Sequence, residues 1–231
     1  MTTDDRIRLA ADIGGTFTDV VLDAAGQRFT TKVLTTPRTP ETGVMNGVEV
    51  VLAQSGVKAA DIEIFVHGTT LATNALIERK GANIAFLTTD GFRDILETGF
   101  EKRFEHYDVF MDKPLPLVPR TKRYTVCERI SARGQTLLAL DEDQVFAVAA
   151  DMKAQGIEAI AVGLMHAYAH PAHERRIRDI LAAELPDTTI CISSEVCPEI
   201  REYERFSTTC ANAYVRPLMS GYLYRLRQQL D

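Results

Sequence analysis

Leu9-Ala-Ala-Asp-Ile-Gly-Gly-Thr-Phe-Thr-Asp-Val-Val-Leu22 is the stretch that decides how the chain is read. An apolar run ends in one carboxylate, Asp12, crosses Gly14 and Gly15, and meets two hydroxyls, Thr16 and Thr18, before a second apolar run begins. Apolar runs on either side of a Gly-Gly pair predict two strands joined by a tight turn. Glycine suits such a tip because it tolerates positive φ and lets backbone N–H groups reach a ligand with no Cβ in the way. Successive N–H groups with the two threonine hydroxyls would then make a concave cradle for an anion such as phosphate. Asp12, ending the first strand, would stand beside that cradle where a phosphate-bound Mg²⁺ needs an oxygen ligand. A plain hairpin would also carry Gly-Gly, but it asks for neither the flanking Asp12 and Asp19 nor the two threonines. A Walker loop is excluded: no Gly-Lys-Ser/Thr follows, and the turn leads into a strand rather than a helix.

Around this stretch, 231 residues at 45% apolar content can bury one good-sized core or two small ones. A net charge of −6 argues against nucleic acid as partner, since that needs a basic face. No apolar run approaches the ~20 residues that span a bilayer, and Met1 to Arg6 lacks the basic-then-apolar layout of a signal peptide. Cys127, Cys191, Cys197 and Cys210 show no metal-ribbon or redox spacing, so they are read as reduced thiols of a cytoplasmic protein.

In chain order, strands are expected at residues 7–12, 17–23 and 29–34, forming an antiparallel meander. A Pro-Thr cluster at 35–40 is followed by a helix from Thr42, with Val44, Val48, Val51 and Leu52 at helical spacing, stopped by Gly56. A short strand, 62–66, runs into His67-Gly-Thr-Thr70, then a helix over 71–80 and a strand over 83–87. Residues 88–140 are less regular, with a turn at Asp90-Gly91, a short helix over 92–96, a proline-rich segment at 113–119 and a strand within 123–130. Regular α/β alternation follows: a helix capped by Asp141 with Gln144, the apolar strand 159–165 typical of a buried parallel sheet, a helix opening at Pro171, and a strand at 188–193. Phe206, Cys210, Tyr214, Leu218, Tyr222 and Leu226 share one face of a long final helical pattern that Pro217 is expected to interrupt.

Three further stretches offer chemistry. His67, Thr69, Thr70 and Asn74 stand at a strand-to-helix junction, where free N–H groups suit an anion or a developing oxyanion; the structural alternative is a Thr cap beside a locally satisfied histidine. His166, His170 and His173-Glu174 have the look of a metal cluster, but Pro171 starts the helix after His170, so the rings should fan apart and His173-Glu174 should be a solvated first turn. Glu199 to Arg205 packs both signs of charge into seven residues, as a solvated helix face does.

Asp12 to Asp19 resembles the first phosphate loop of the hydantoinase A/5-oxoprolinase family, a branch of the actin-like ATPase superfamily. The run from His67 through Ala82 is similar to that family's His-Gly-Thr-Thr-x-x-x-Asn-Ala-x-Ile/Leu-Glu-Arg-Lys-Gly-Ala signature, and Pro198 to Arg205, followed by Asn-Ala-Tyr-Val-x-Pro, to another of its stretches. The likeness extends over about residues 7–222. It implies an α/β chain with an actin-like (ribonuclease-H-like) ATPase half, whose order of three strands, helix, strand, helix, strand this chain shares, and a βαβ-type second subdomain. The implied organisation is an N-terminal region over 1–198, divided into a phosphate-loop subdomain (1–90) and an α/β subdomain (91–198), then the start of a core domain over 199–231.

The resemblance further implies ATP and Mg²⁺ as cofactors and phosphorylation of the amide oxygen of a cyclic amide, which water then opens. Gly14, Gly15, Thr16, Phe17, Thr18 and Asp19 would hold the phosphates and Asp12 the metal. His67, Thr69, Thr70 and Asn74, with Asp12, would face the reacting groups; Arg201, Glu202 and Arg205 would serve interdomain contacts or the substrate cleft. A hydantoinase B-type partner subunit and an oligomer are implied for the full-length enzyme. Family members are considerably longer, so the chain is expected to be a fragment that cannot turn over alone. Three alternatives stay open: an acetone-carboxylase-like ATP-dependent carboxylase subunit, a sugar- or acetate-type kinase, and a non-catalytic regulatory subunit.

Overall fold

The computed structural model describes residues 6–36, 38–99, 107–110 and 114–230; Pro37, residues 100–106 and Lys113, which belong to segments discussed above, lie outside it. In chain order the elements are β1 (Arg8–Ile13), β2 (Phe17–Ala24), β3 (Gln27–Leu34), α1 (Pro40–Ser55), β4 (Ile64–Thr69), α2 (Leu71–Ile77), β5 (Ile84–Thr89), α3 (Ile95–Thr98), β6 (Arg123–Val126), β7 (Arg129–Ile130), β8 (Thr136–Leu138), α4 (Glu142–Ala154), β9 (Ala159–Gly163), α5 (Ala172–Glu184), β10 (Thr189–Ile192), α6 (Ser193–Val196) and α7 (Glu202–Leu230). They fall into two compact units, one of Met1–Lys80 with Leu218–Asp231 and one of Gly81–Pro217.

The first unit is built on a four-stranded sheet in the order β3-β2-β1-β4, antiparallel except for the parallel β1–β4 pair. Strand alternation puts Leu9, Ala11, Ile13, Val20 and Leu22 on the inner face. There they pack against Val44, Val48 and Val51 of α1 and against Tyr222 and Leu226 of α7. Gly47 allows α1 to lie this close: a Cβ there would stand 2.5 Å from Cγ2 of Val20. The helix stops at Gly56 in the left-handed region, φ 72°, as the sequence predicts.

The second unit holds an all-parallel sheet, β10-β9-β5-β6, and a separate β7–β8 hairpin. The sequence order places β5 as the last strand of the first half; the structure pairs it with β6 and β9 instead. Every residue of β5 is buried, as a central parallel strand requires, whereas β4 is half-buried. The contact boundary therefore falls at Lys80, ahead of β5. Asp141 caps α4 by accepting from the Gln144 amide at 3.1 Å, but the Gln144 side chain turns away to accept from Cys127 N. The other expectation that changes is Pro217. It lies inside a continuous α7 rather than ending it, and the unit boundary falls directly after it.

Candidate functional site

The Gly-Gly tip is the turn between β1 and β2, closed by the Gly14 amide donating to the Phe17 carbonyl at 2.9 Å. Neither Gly14 nor Gly15 has positive φ, so the conformational reason expected for them does not hold. The reason is space. A Cβ on Gly14 would stand 3.0 Å from the Phe17 carbonyl oxygen, and one on Gly15 would stand 3.1 Å from Nδ2 of Asn74. Asn74 is held there because its Nδ2 donates to Thr70 Oγ1 at 3.2 Å, while Thr70 gives both its amide (3.0 Å) and its hydroxyl (3.2 Å) to the Ile13 carbonyl. The hairpin tip and the start of α2 are thereby knitted together. Thr69 takes the local capping role, accepting from the Leu71 amide at 3.1 Å.

The two threonines of the tip part company. Thr16 is exposed, and among the described residues neither its amide nor that of Gly15 donates a hydrogen bond. Thr18 is fully buried, its hydroxyl 2.9 Å from that of Thr35, which in turn donates to the Gly14 carbonyl. Thr18 thus braces the tip from behind rather than facing a ligand. Phe17 is exposed with Lys32 Nζ 5.3 Å over its ring, and Lys32 also pairs with Asp19 at 3.0 Å.

Register separates Asp12 from His67. Asp12 lies opposite Asp19 and Gly68, on the outer face of the sheet, where it is exposed and makes no ion pair among the described residues. A side chain at Gly68 would come 3.1 Å from Asp12 Oδ1, so the glycine leaves the carboxylate its room. His67 pairs with Ala11 and therefore points to the inner face. Its Nε2 stands 2.9 Å from the Tyr222 hydroxyl, and its ring stacks on Phe65 at 6.2 Å. Burial holds the His67 imidazole below its ordinary pKa, partly offset by the polar Ala11 backbone beside it and by the Asp12 charge. The structure accordingly unites Gly14, Gly15, Thr70 and Asn74, and does not bring His67 to Asp12.

Gly14, Gly15 and Asn74 line a cavity of about 230 Å³ in the first unit. Arg38, Lys80 and Arg225 line it too, with Tyr222 and Leu218 as apolar wall. Lys80 is paired with Glu78 and Arg225 with Glu41, each at 2.6 Å. Sequence reasoning did not place Thr35, Arg38, Arg225 and Tyr222 beside the tip. The signal for the last two was the apolar face of the final helix, on which Leu218, Tyr222 and Arg225 are spaced at four and three residues.

The remaining motifs are spent within the second unit. The three histidines do fan apart: His173 Nδ1 lies 2.8 Å from buried Glu128, His170 lies against Gly134, and His166 meets Tyr168. Glu128 also accepts from Thr89 Oγ1. No group of metal ligands forms among the described residues. The expected solvated first turn at His173-Glu174 is overturned. Glu174 is fully buried and accepts from Leu164 N, Ser193 Oγ and Ser194 N, while burial raises its pKa. Arg205 is likewise a core residue: it donates to Ser193 Oγ, the Glu199 carbonyl and the Leu164 carbonyl, lies 4.9 Å from the Phe206 ring, and has its pKa lowered by burial. No described helix is long and apolar enough to cross a membrane.

Comparison with known proteins places this geometry. Residues 8–185 match the hydantoinase/oxoprolinase N-terminal region. The chain is 39% identical to an uncharacterized protein of Methanocaldococcus jannaschii over 221 residues, covering 94% of this chain and 32% of that protein. It is 36% identical to the caprolactamase subunit alpha of Pseudomonas jessenii, covering 95% and 32% of the two chains. The crystal structure of ATP-dependent caprolactamase from that organism superposes with a TM-score of 0.87, covering 96% of this chain and 33% of that one. A nucleotide-free acetone carboxylase structure gives 0.87 at 26% identity, covering 97% and 34%. The chain spans about a third of the length of these relatives. It has the α/β, actin-like ATPase fold of their N-terminal parts, and it belongs to the hydantoinase/oxoprolinase family.

Proposed function

We propose that this chain forms the phosphate-gripping wall of an ATP- and Mg²⁺-dependent enzyme that opens a cyclic amide of the hydantoin or 5-oxoproline kind. The observation that carries the reading is the hairpin tip. It combines two exposed residues, Gly15 and Thr16, whose amides are unspent, with a cavity bearing three cations, and a free carboxylate on the preceding strand. The tip suits a phosphate chain because its exposed Gly15 and Thr16 amides are unspent beside a cation-lined cavity, while the two glycines let the turn close against Phe17 and Asn74. When bound, ATP and Mg²⁺ supply the phosphoryl group that turns an amide oxygen into a leaving group, together with neutralisation of its charge.

The chain's own residues bind and orient. The Gly15 and Thr16 amides offer preorganised donors at the exposed tip. Asp12 offers an oxygen ligand for the metal or its water shell. Asn74, fixed by Thr70, limits how far the tip can move, and Thr18 with Thr35 supports it from inside. Thr69 and His67 shape the junction between β4 and α2, His67 through its hold on Tyr222. Phe17 and Asp19, tied through Lys32, stiffen the outer edge of the loop.

Relatives described as subunits, the alpha of caprolactamase, the gamma of acetophenone carboxylase and the beta of acetone carboxylase, support a partner chain for the complete enzyme, which we take to be of the hydantoinase B type. All four cysteines are free thiols, which suits the cytoplasm proposed for it. A second reading, phosphorylation of a ketone ahead of carboxylation, is favoured by the likeness to acetone carboxylase and to acetophenone carboxylase. Calorimetric titration of the chain with Mg·ATP tests the proposal. Binding that weakens about tenfold or more in Asp12→Ala, and more when Mg²⁺ is withheld, is the expected result; equal affinity for wild type and variant, or no binding by either, refutes it. In the complete enzyme, product analysis with a cyclic amide and with a ketone plus bicarbonate separates ring opening from carboxylation.

A further inference from the structure

Arg225 is the cation of the cavity whose placement is most heavily constrained. Its Nε donates to Glu41 Oε1 at 2.6 Å, and the two partners differ sharply in exposure: 47% for the arginine side chain and 2% for the glutamate. An ordinary surface pair leaves both groups in water. Here the carboxylate comes from the first turn of α1 and is sunk below the surface, its other oxygen buried and without a hydrogen-bond partner. Sinking a carboxylate costs several kcal/mol unless its partner is held in return (about that order by general experience). The arrangement holds the guanidinium through Nε and leaves its terminal nitrogens unused by Glu41, on a residue that lines the same cavity as Gly14 and Gly15.

A second, independent feature points the same way. Gly221 sits one turn before Arg225 in the interior of α7, where glycine costs about 1 kcal/mol relative to alanine. A Cβ at Gly221 would lie 3.3 Å from Nη1 of Arg225. The glycine keeps the path of the guanidinium clear. Two of the five donors of an arginine fork, presented side by side, match the oxygens of one oxyanion, and a lysine cannot reproduce that geometry.

We infer that Arg225, positioned by Glu41 and Gly221, is an oxyanion-binding residue of the cavity at the Gly14-Gly15 tip, taking a phosphate of the nucleotide or a carboxylate of the substrate. The inference rests on the phosphate-site reading above and extends it to the last helix, beyond the residues matched by the family's N-terminal region. Arg225 binds, and Glu41 is a positioning residue.

The test is calorimetric titration of the 231-residue chain with magnesium pyrophosphate in one arm and with 5-oxoproline, a carboxylate, in the other. The variants are Arg225→Met, Arg225→Lys and Glu41→Gln. Because Arg225→Met strands a buried carboxylate, the double variant Glu41→Gln with Arg225→Met is titrated too, and each variant's thermal melt is recorded. Expected is a loss of about tenfold or more in affinity for Arg225→Met and for the double variant. Arg225→Lys should lose less, and the salt dependence of binding should become shallower wherever the charge is gone. Glu41→Gln should weaken binding while leaving that salt dependence unchanged. A loss confined to the pyrophosphate arm assigns the oxyanion to the nucleotide, and one confined to the 5-oxoproline arm assigns it to the substrate. Wild-type affinity in both arms for a folded double variant overturns the inference while the phosphate reading survives; failure of the wild type to bind either probe overturns both.

Discussion

Replacing Tyr222 with phenylalanine isolates one oxygen atom. The tyrosine is fully buried in the first unit's core, and its hydroxyl stands 2.9 Å from Nε2 of His67, with the ring centroids 5.4 Å apart at 46°. Phenylalanine keeps the ring and its packing, so no cavity term enters. Two costs remain: the hydrogen bond itself, and an imidazole nitrogen left buried without a partner. Together they come to about 1–3 kcal/mol. For a chain of this size that corresponds to a fall of roughly 4–8 °C in Tm if the loss is near the middle of the range. The assay is thermal and urea denaturation followed by circular dichroism, run on Tyr222→Phe, His67→Phe and the double variant. The double variant should recover part of the loss, because both partners are then apolar, giving a coupling energy of about 0.5–3 kcal/mol. An unchanged Tm in Tyr222→Phe, or strictly additive single losses, would refute the claim that this bond ties α7 to β4.

Further outcomes follow from the same geometry. Burial lowers the His67 pKa, so as pH falls through the ordinary imidazole value of about 6.5 the unfolded chain takes up a proton that the folded chain resists. Stability should therefore decline toward acid below that value and be indifferent to His67 above it; His67→Gln should flatten this part of the Tm-versus-pH curve. Gly163→Ala puts a Cβ 2.4 Å from the Phe206 ring at the centre of the parallel sheet and should cost about 1–3 kcal/mol by overpacking, measured by urea midpoint. Ser193→Ala removes a hydroxyl that donates to Glu174 at 2.6 Å and accepts from Arg205 at 3.1 Å. It should destabilise by about 1–3 kcal/mol in the same assay, against near-neutrality for Ser220→Ala at an exposed position of α7.

Much of the fold was legible because its strands obey simple periods. The alternation of β1 and β2, the helical spacing of Val44, Val48 and Val51, and the unbroken apolar run of β9 each have one structural reading once length and flanking glycines are considered. What periodicity does not carry is partnership between segments distant in sequence. The β5 sequence suits any buried strand, and only its pairing with β6 and β9 tells which sheet receives it. Pro217 shows a related limit. A proline removes one helical hydrogen bond wherever it stands, yet whether the helix ends there depends on burial on both sides, which here runs from Ala213 and Tyr214 to Tyr222 and Leu226.

Residue types around the tip could be read along the chain, but their grouping in space could not. Reading Asp12 and His67 as facing one reacting centre ignores that they sit on adjacent strands one step out of register. Asp12 is opposite Gly68, not His67, so the pleat sends carboxylate and imidazole to opposite faces of the sheet. A shift of one residue in the β1–β4 pairing would reunite them, but it would also turn Phe65 outward and leave Val66 in the core beside Leu9 and Leu22 in its place. The sequence contains both halves of that choice and no statement of the register. The burial of Phe65 and the exposure of Val66, at 56%, decide it. Beside the tip stand the amides of Gly15 and Thr16, Asn74 and the cations of the cavity, with Asp12 on the outer face of the sheet. His67, on the inner face, instead bonds Tyr222 on the helix that also carries Arg225, so its place in the sequence motif is accounted for by packing rather than by nearness to Asp12.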